Sequence, residues 1–148
     1  MVRMKTTSDA GTLARKRISW ETRIAGRSAH ITFHLTMNLL FLCSRNQWRS
    51  PTAEKVYQND PRVEVRSAGT SASARCRVSE RLLRWADRVM VMEHEHKQRL
   101  REQFPEIVRD LHIDVLDIPD DYPFMDEELM KLIREKVEPL LEESTLEL

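Results

Sequence analysis

From residue 37 onward, short apolar runs alternate with stretches of helical periodicity, and this alternation restricts the fold more than any other feature of the chain. Four runs have the length and composition of strands, at residues 38–42, 62–69, 87–92 and 113–118. Helical patterns follow them, at residues 50–57, 78–86, 93–104 and from Asp126 to about residue 141. Alternating strands and helices form parallel sheets with right-handed crossovers. The sequence therefore predicts an α/β fold, a three-layer sandwich in which helices cover both faces of a four-stranded parallel sheet.

The residues before this alternation differ in composition from the rest. Residues 1–36 contain seven Lys and Arg against two acidic residues, and they show no sustained apolar period. This composition predicts a disordered basic extension, or a start codon assigned upstream of Met37, with a transit peptide as the alternative. We therefore expect one α/β domain at 37–141 and a short tail at 142–148.

The bulk composition restricts the partners and the compartment. The formal net charge of the 148 residues is zero, which argues against bulk electrostatic binding to nucleic acid or to a membrane surface. Two cysteines, Cys43 and Cys76, are too few for a disulfide scaffold, and they favour a reducing cytoplasm. No apolar stretch approaches the ~18 residues of a membrane-spanning helix. The composition does not indicate an oligomeric state.

The loop after the first predicted strand carries the chemistry. Cys43 ends the strand, Arg49 follows six positions later, and Ser50 and Pro51 open a helix. A helix N-terminus presents unpaired N–H groups, which favour both a bound phosphate and a thiolate. The planar guanidinium of an arginine can hold two oxygens of a tetrahedral oxyanion. The pattern indicates nucleophilic attack by Cys43 on a phosphate ester, against the alternative of a buried core cysteine.

The same stretch resembles the low-molecular-weight protein tyrosine phosphatases, which begin with an apolar strand and the pattern C-x-G-N-x-C-R-S-P-x-A-E. This chain reads CSRNQWRSPTAE in the corresponding place. The matching positions are Cys43, Asn46, Arg49, Ser50, Pro51, Ala53 and Glu54. The segments RSAGT (66–70) and DRVMVME (87–93) resemble the ends of the family's second and third strands. The resemblance covers residues 37 to about 141, and it is strongest to a bacterial subgroup with CSRN and IPDDY.

This resemblance implies hydrolysis of phosphotyrosine, or of another aryl phosphate, through a cysteinyl-phosphate intermediate, with no cofactor and no metal. It makes Cys43 the nucleophile and Arg49 the clamp of the oxyanion. Phosphate is then expected on the loop formed by Ser44, Arg45, Asn46, Gln47, Trp48, Arg49 and Ser50. Within that loop, Asn46 is expected to shape the backbone and Ser50 to hydrogen-bond the thiolate. Gln47, Asp121 and Tyr122 are expected to line the pocket for a phosphotyrosyl protein or a small aryl phosphate.

The resemblance also implies an aspartate that protonates the leaving group and then activates water. The loop after the fourth strand reads DIPDDYPFMD, and alignment on Tyr122 places Asp120 at the acid and Asp121 where the family has proline. Two adjacent carboxylates beside a bound dianion disfavour ionisation of both, which helps one of them stay protonated. We prefer Asp120 over Asp121. The alternative is an acidic loop that only precedes a helix N-terminus.

Three departures from the family pattern bear on function. Arg45 replaces a glycine, so its side chain must point outward and add positive charge at the rim of the site. Trp48 replaces a second cysteine, which removes the usual disulfide partner of the nucleophile. The loop at 71–78 lacks the aromatic residue that some members place there. Arg45 and the missing aromatic residue favour, as the alternative, a catalytically weak phosphate-binding regulatory protein, whereas the intact set of Cys43, Arg49 and Asp120 disfavours it. Arsenate reduction is disfavoured, because 89–100 contains no cysteine.

One further motif invites a metal hypothesis. The sequence His94-Glu95-His96 lies on a predicted helix, where residues two apart do not share a face. We therefore interpret it as a solvated charged face rather than as a metal site.

Overall fold

A four-stranded parallel sheet forms the centre of the computed structural model, which describes residues 17–25 and 28–146, with side chains from 36 to 143. Its strands are β2 (Ser28–Cys43), β3 (Val63–Gly69), β4 (Arg88–Val91) and β5 (His112–Val115). They lie in the order β3-β2-β4-β5, and every pair is parallel. The predicted α/β sandwich with a four-stranded parallel sheet is confirmed.

Strand β2 occupies the centre because its second half is apolar on both faces. Residues 39–42 are fully buried between the neighbouring strands β3 and β4. Such a strand shows a continuous apolar run rather than an alternating one. Its last residue, Cys43, pairs with Gly69 at the carboxyl edge of the sheet. That edge is where parallel sheets bind ligands.

Helices cover both faces of the sheet. The helices are α1 (Arg49–Tyr57), α2 (Glu80–Trp85), α3 (His94–Gln103), α4 (Pro105–Val108) and α5 (Glu127–Leu146). Residues of α1 and α5 pack with Leu39, Phe41 and Cys43 in one core cluster. Residues of α2, α3 and α4 pack with Leu40 and Leu42 in a second cluster on the opposite face. The alternation of side chains along β2 therefore places the thiol of Cys43 in the layer that α1 covers.

The segment before the domain differs from the prediction of a disordered extension. Strand β1 (Arg17–Ala25) pairs antiparallel with residues 28–36, the first half of β2. In this register Ile18 lies opposite Leu35, and Trp20 lies opposite Phe33. Apolar residues recur there at every second position among polar and basic ones, which is a strand pattern. The predicted disorder of 1–16 lies outside the described residues.

Two helix boundaries also differ from the predicted ones. Helix α5 continues to Leu146 with Pro139 inside it, so residues 142–146 are helical where we expected a tail. Pro105 follows the end of α3, as predicted, but it also opens the short helix α4. Proline suits a first helical position because the N–H that it lacks would have no partner there. Within the described part of the chain, none of the helices has both the length and the apolar character needed to cross a membrane.

Candidate active site

The nucleophile candidate lies at the junction of β2, the loop of residues 44–48 and α1. Cys43 is 3% exposed, and its Sγ lies 3.0 Å from Ser50 Oγ in the first turn of the helix. Asn46 Nδ2 donates to the same Ser50 oxygen at 3.0 Å, and the single hydroxyl proton of Ser50 has two acceptors within reach, the Cys43 sulfur at 3.0 Å and the Ala68 carbonyl at 3.3 Å. A hydrogen bond from a hydroxyl stabilises a thiolate.

Asn46 organises the 44–48 loop from its centre. Its φ angle is 57°, in the left-handed region that asparagine tolerates better than most residues. The side chain is 1% exposed, and it also donates to Ser67 Oγ at 3.0 Å. Ser67 in turn donates to Glu54 Oε1 at 2.6 Å. This chain of hydrogen bonds ties the loop to both β3 and α1.

The loop after β3 (residues 70–75) holds the 44–48 loop from outside. The N–H groups of Thr70, Ser71 and Arg75 donate to the carbonyls of Cys43, Ser44 and Arg45 at 2.9, 2.9 and 3.0 Å. All peptide bonds of the described residues are trans, so each N–H points away from the carbonyl of its own peptide unit. The carbonyls of residues 43–45 point outward to the 70–75 loop. The N–H groups of the same three peptide units, which belong to residues 44–46, therefore point inward. Inward N–H groups of this kind form a backbone nest, a geometry that can hold an anion.

Gly69 makes this close packing possible. A Cβ atom at this position would lie 2.5 Å from the Ser44 carbonyl oxygen, 2.6 Å from Ala74 Cβ and 3.0 Å from the Asn46 nitrogen. The sequence indicated only the end of a strand at Gly69. The structure shows that β3 ends directly against the backbone of the 44–48 loop.

Arg49 is held rigidly with one edge left open. The residue is 2% exposed, and NH1 donates to Glu93 Oε1 at 2.7 Å and to the Ile118 carbonyl at 2.8 Å. Its Nε lies 3.5 Å from Asp120 Oδ1 and has no hydrogen-bond partner among the described residues. A buried donor without a partner is costly, and a bound anion would supply one.

These groups face a cavity of about 360 Å³. Its lining consists of Cys43, Ser44, Arg45, Gln47, Trp48, Arg49 and Asp120. The carboxyl-edge loops after β2 and β5 thus bring the predicted nucleophile, clamp and acid together. Arg45 is exposed, as expected for a side chain that points outward. Its φ angle is not positive, so the backbone at this position accepts a residue other than glycine.

Two predicted pocket residues lie elsewhere. Tyr122 is half-buried and packs against the core cluster that contains Phe41, and Asp121 is exposed. Neither contributes to the lining, whereas Gln47 does. The aromatic side chain of the lining is Trp48, which is 45% exposed.

His96 contradicts the interpretation of its segment as a solvated face. It is fully buried, whereas His94 and Glu95 are exposed. The Glu93 N–H donates to His96 Nδ1 at 3.0 Å, and His96 Nε2 lies 2.9 Å from Ser44 Oγ. Burial, with the Arg49 charge next, lowers the pKa of His96 to about 4, so the ring is neutral near pH 7. The signal that could have revealed it is Glu-x-x-His at a helix start, a capping-box spacing.

The second cysteine does not belong to the cavity lining. Cys76 is exposed, and neither Cys76 nor Cys43 forms a disulfide. Among the described residues, no group of three or more His, Cys, Asp or Glu side chains is placed to hold a metal ion.

Comparison with known proteins identifies the family. No protein-family profile matches the chain. A protein-arginine-phosphatase of Bacillus subtilis strain 168 is 30% identical, with 71% of this chain and 92% of that protein covered. The structure of the YwlE arginine phosphatase from Geobacillus stearothermophilus matches with a TM-score of 0.59 and 26% identity, over 75% of this chain and 96% of that one. A low-molecular-weight protein tyrosine phosphatase from T. tengcongensis shares the fold, with a TM-score of 0.57 and 24% identity, over 76% and 99% of the two chains. The chain therefore belongs to the low-molecular-weight protein tyrosine phosphatase family of phosphatases.

Proposed function

We propose that the protein hydrolyses the phosphate ester of tyrosine in a phosphoprotein, or another aryl phosphate, through a phosphocysteine. The observation that carries this proposal is the shared cavity. It is lined by Cys43, Asp120 and Arg49, and the Arg49 Nε makes no hydrogen bond within the described residues and lies 3.5 Å from Asp120 Oδ1. Nucleophile, oxyanion clamp and acid are the three parts that phosphoryl transfer to a thiolate requires.

The first step is attack of the Cys43 thiolate on phosphorus. The S–P bond forms as the bond to the phenolic oxygen breaks, and the inward N–H groups of residues 44–46 hold the equatorial oxygens. Arg49 approaches the same oxygens with Nε, which makes no hydrogen bond within the described residues, because NH1 already donates to Glu93 and Ile118. Ser50 stabilises the sulfur when it leaves again in the second step.

Asp120 supplies the proton for the leaving phenolate. Its side chain is 57% exposed, so water reaches the carboxyl group for the second step, in which Asp120 takes a proton from the attacking water. The second step returns the thiolate and releases inorganic phosphate. Neither step calls for a cofactor. The absence of Asp121 from the cavity lining supports Asp120 as the acid.

Two kinds of leaving group suit the wall of the cavity. Trp48 offers an indole at the cavity wall, and an aromatic ring of the substrate can pack against it. The indole face and the Asp120 carboxylate would equally suit a guanidinium group. The relative from Bacillus subtilis is a protein-arginine-phosphatase, which makes phosphoarginine the second candidate substrate.

The experiment compares three substrates and four forms of the protein. p-Nitrophenyl phosphate, a phosphotyrosine peptide and a phosphoarginine peptide are each incubated with the wild type, Cys43→Ser, Asp120→Asn and the control Asp121→Asn. We expect turnover by the wild type, near-complete loss in Cys43→Ser, and a large loss in Asp120→Asn but not in Asp121→Asn. The preferred peptide identifies the substrate class.

Three results would overturn parts of this proposal. Activity that survives Cys43→Ser removes the phosphocysteine. Loss in Asp121→Asn alone moves the acid by one residue. Phosphate binding without turnover of any substrate favours a regulatory phosphate-binding protein instead.

We also propose a cytoplasmic location, because two cysteines that form no disulfide suit a reducing compartment.

A further inference from the structure

The buried histidine of α3 contacts the hydroxyl of a serine that belongs to the cavity lining. His96 is fully buried, and its Nε2 lies 2.9 Å from Ser44 Oγ. Ser44 is half-buried and belongs to the cavity lining. The pair joins residues 52 positions apart in the chain, so it exists only in the folded protein.

The hydrogen bonds determine which atom carries each proton. The Glu93 N–H donates to His96 Nδ1, so Nδ1 is an acceptor and carries no hydrogen. A neutral imidazole then has its hydrogen on Nε2, which donates to Ser44 Oγ. The oxygen of Ser44 is thus already an acceptor, and its own hydrogen is free to point into the cavity.

We propose that His96 is a positioning residue that orients the Ser44 hydroxyl as a hydrogen-bond donor to the bound phosphate. The hydroxyl adds a side-chain donor to the N–H groups of the 44–48 loop. This inference rests on the proposed function, in which the cavity holds phosphate. Glu93 belongs to the same arrangement, because its N–H sets the histidine tautomer while its carboxylate holds Arg49 at 2.7 Å.

The variants separate the two contacts of the ring. In His96→Gln the side-chain amide reaches the place of Nε2 and can still donate to Ser44. In His96→Asn the shorter amide reaches the place of Nδ1 and can satisfy the Glu93 N–H, but it cannot reach Ser44. Ser44→Ala removes the hydroxyl, and Ser44→Thr keeps it. The double variant Ser44→Ala/His96→Asn tests whether the two residues act together.

The main readout is the affinity for inorganic phosphate, measured by calorimetry, together with kcat and KM for p-nitrophenyl phosphate. A hydrogen bond to a charged group corresponds to a change of about tenfold to a hundredfold. We expect this loss of phosphate affinity in Ser44→Ala and in His96→Asn, no further loss in the double variant, and near wild-type affinity in Ser44→Thr and His96→Gln. If His96 had only a structural role, we would not expect His96→Gln to keep the phosphate affinity while His96→Asn loses it.

Two outcomes overturn the inference. Phosphate affinity of Ser44→Ala equal to that of the wild type removes the hydroxyl from the site. Equal losses in His96→Gln and His96→Asn, or additive losses in the double variant, show that the histidine does not act through Ser44. A wild type that binds phosphate with the expected variant pattern but hydrolyses no substrate overturns the proposed function alone.

Discussion

The contact between the end of β3 and the 44–48 loop predicts a strong effect of the substitution Gly69→Ala. The added Cβ would lie 2.5 Å from the Ser44 carbonyl oxygen and 3.0 Å from the Asn46 nitrogen, both of them backbone atoms. Backbone cannot rotate away as a flexible side chain can, so the loop must shift. The shift also strains the bond from the Ser71 N–H to the Ser44 carbonyl, now 2.9 Å.

The magnitude follows from these two costs. Overpacking of a tight site costs about 1–3 kcal/mol, and loss of one hydrogen bond adds about 1 kcal/mol. We therefore expect the free energy of unfolding to fall by about 2–4 kcal/mol. A displacement of about 1 Å in a catalytic loop lowers the rate by about a hundredfold, and we expect a loss of this size in kcat/KM.

Urea denaturation and p-nitrophenyl phosphate kinetics measure both effects. Ala72→Ser, an exposed change in the same loop, is the control and should leave both quantities unaltered. The variant Gly69→Ala/Ala74→Gly removes only the side-chain contact at 2.6 Å, so it should recover little. Wild-type stability and activity in Gly69→Ala, or full recovery in the double variant, would refute the packing of β3 against the loop backbone.

Two further predictions concern charges inside the fold. The pKa of His96 is about 4, below its ordinary value of 6.5. Between these two values the unfolded chain binds a proton that the folded chain does not. The free energy of unfolding should therefore fall by roughly 3 kcal/mol as the pH is lowered from about 6.5 to about 4. Urea denaturation across that range should show a weaker pH dependence in His96→Gln, and parallel profiles would contradict the assignment of this effect to His96. Asp114 holds the buried Arg88 at 2.7 Å, so Asp114→Ala should cost about 3 kcal/mol. The control Glu143→Gln should leave the free energy of unfolding almost unchanged, because the Glu143 side chain is 65% exposed and lies 3.9 Å from Arg88. Equal losses of stability in the two variants would show that Arg88 does not depend on Asp114 in particular.

The sheet and the position of the site could be predicted because their signals are local. The fully buried residues 39–42 form a continuous apolar run, which is what a central parallel strand requires. A cysteine at the end of such a strand must lie at the carboxyl edge. Asp120 follows another strand of the same sheet, so it lies at the same edge.

The parts that could not be predicted depend on contacts between distant segments. The contact of His96 with Ser44 joins the start of α3 to the loop after the neighbouring strand β2, 52 positions away in the chain. The need for glycine at position 69 arises only when the 44–48 loop lies against it. Tyr122 was assigned to the pocket by alignment, but the path of the loop directs it toward the core. The strand at 17–25 was missed because its alternating apolar residues stand among basic ones.

The most direct test of the account is the identification of the phosphorylated residue during turnover. Asp120→Asn is mixed with p-nitrophenyl phosphate, whose leaving group needs no acid, so the first step proceeds while hydrolysis of the intermediate is slow. Rapid quenching under conditions that preserve the S–P bond, followed by peptide mass spectrometry, locates the phosphoryl group. The account predicts one phosphoryl group on Cys43. Turnover without a phosphoryl group on Cys43, or with one on another residue, would contradict it.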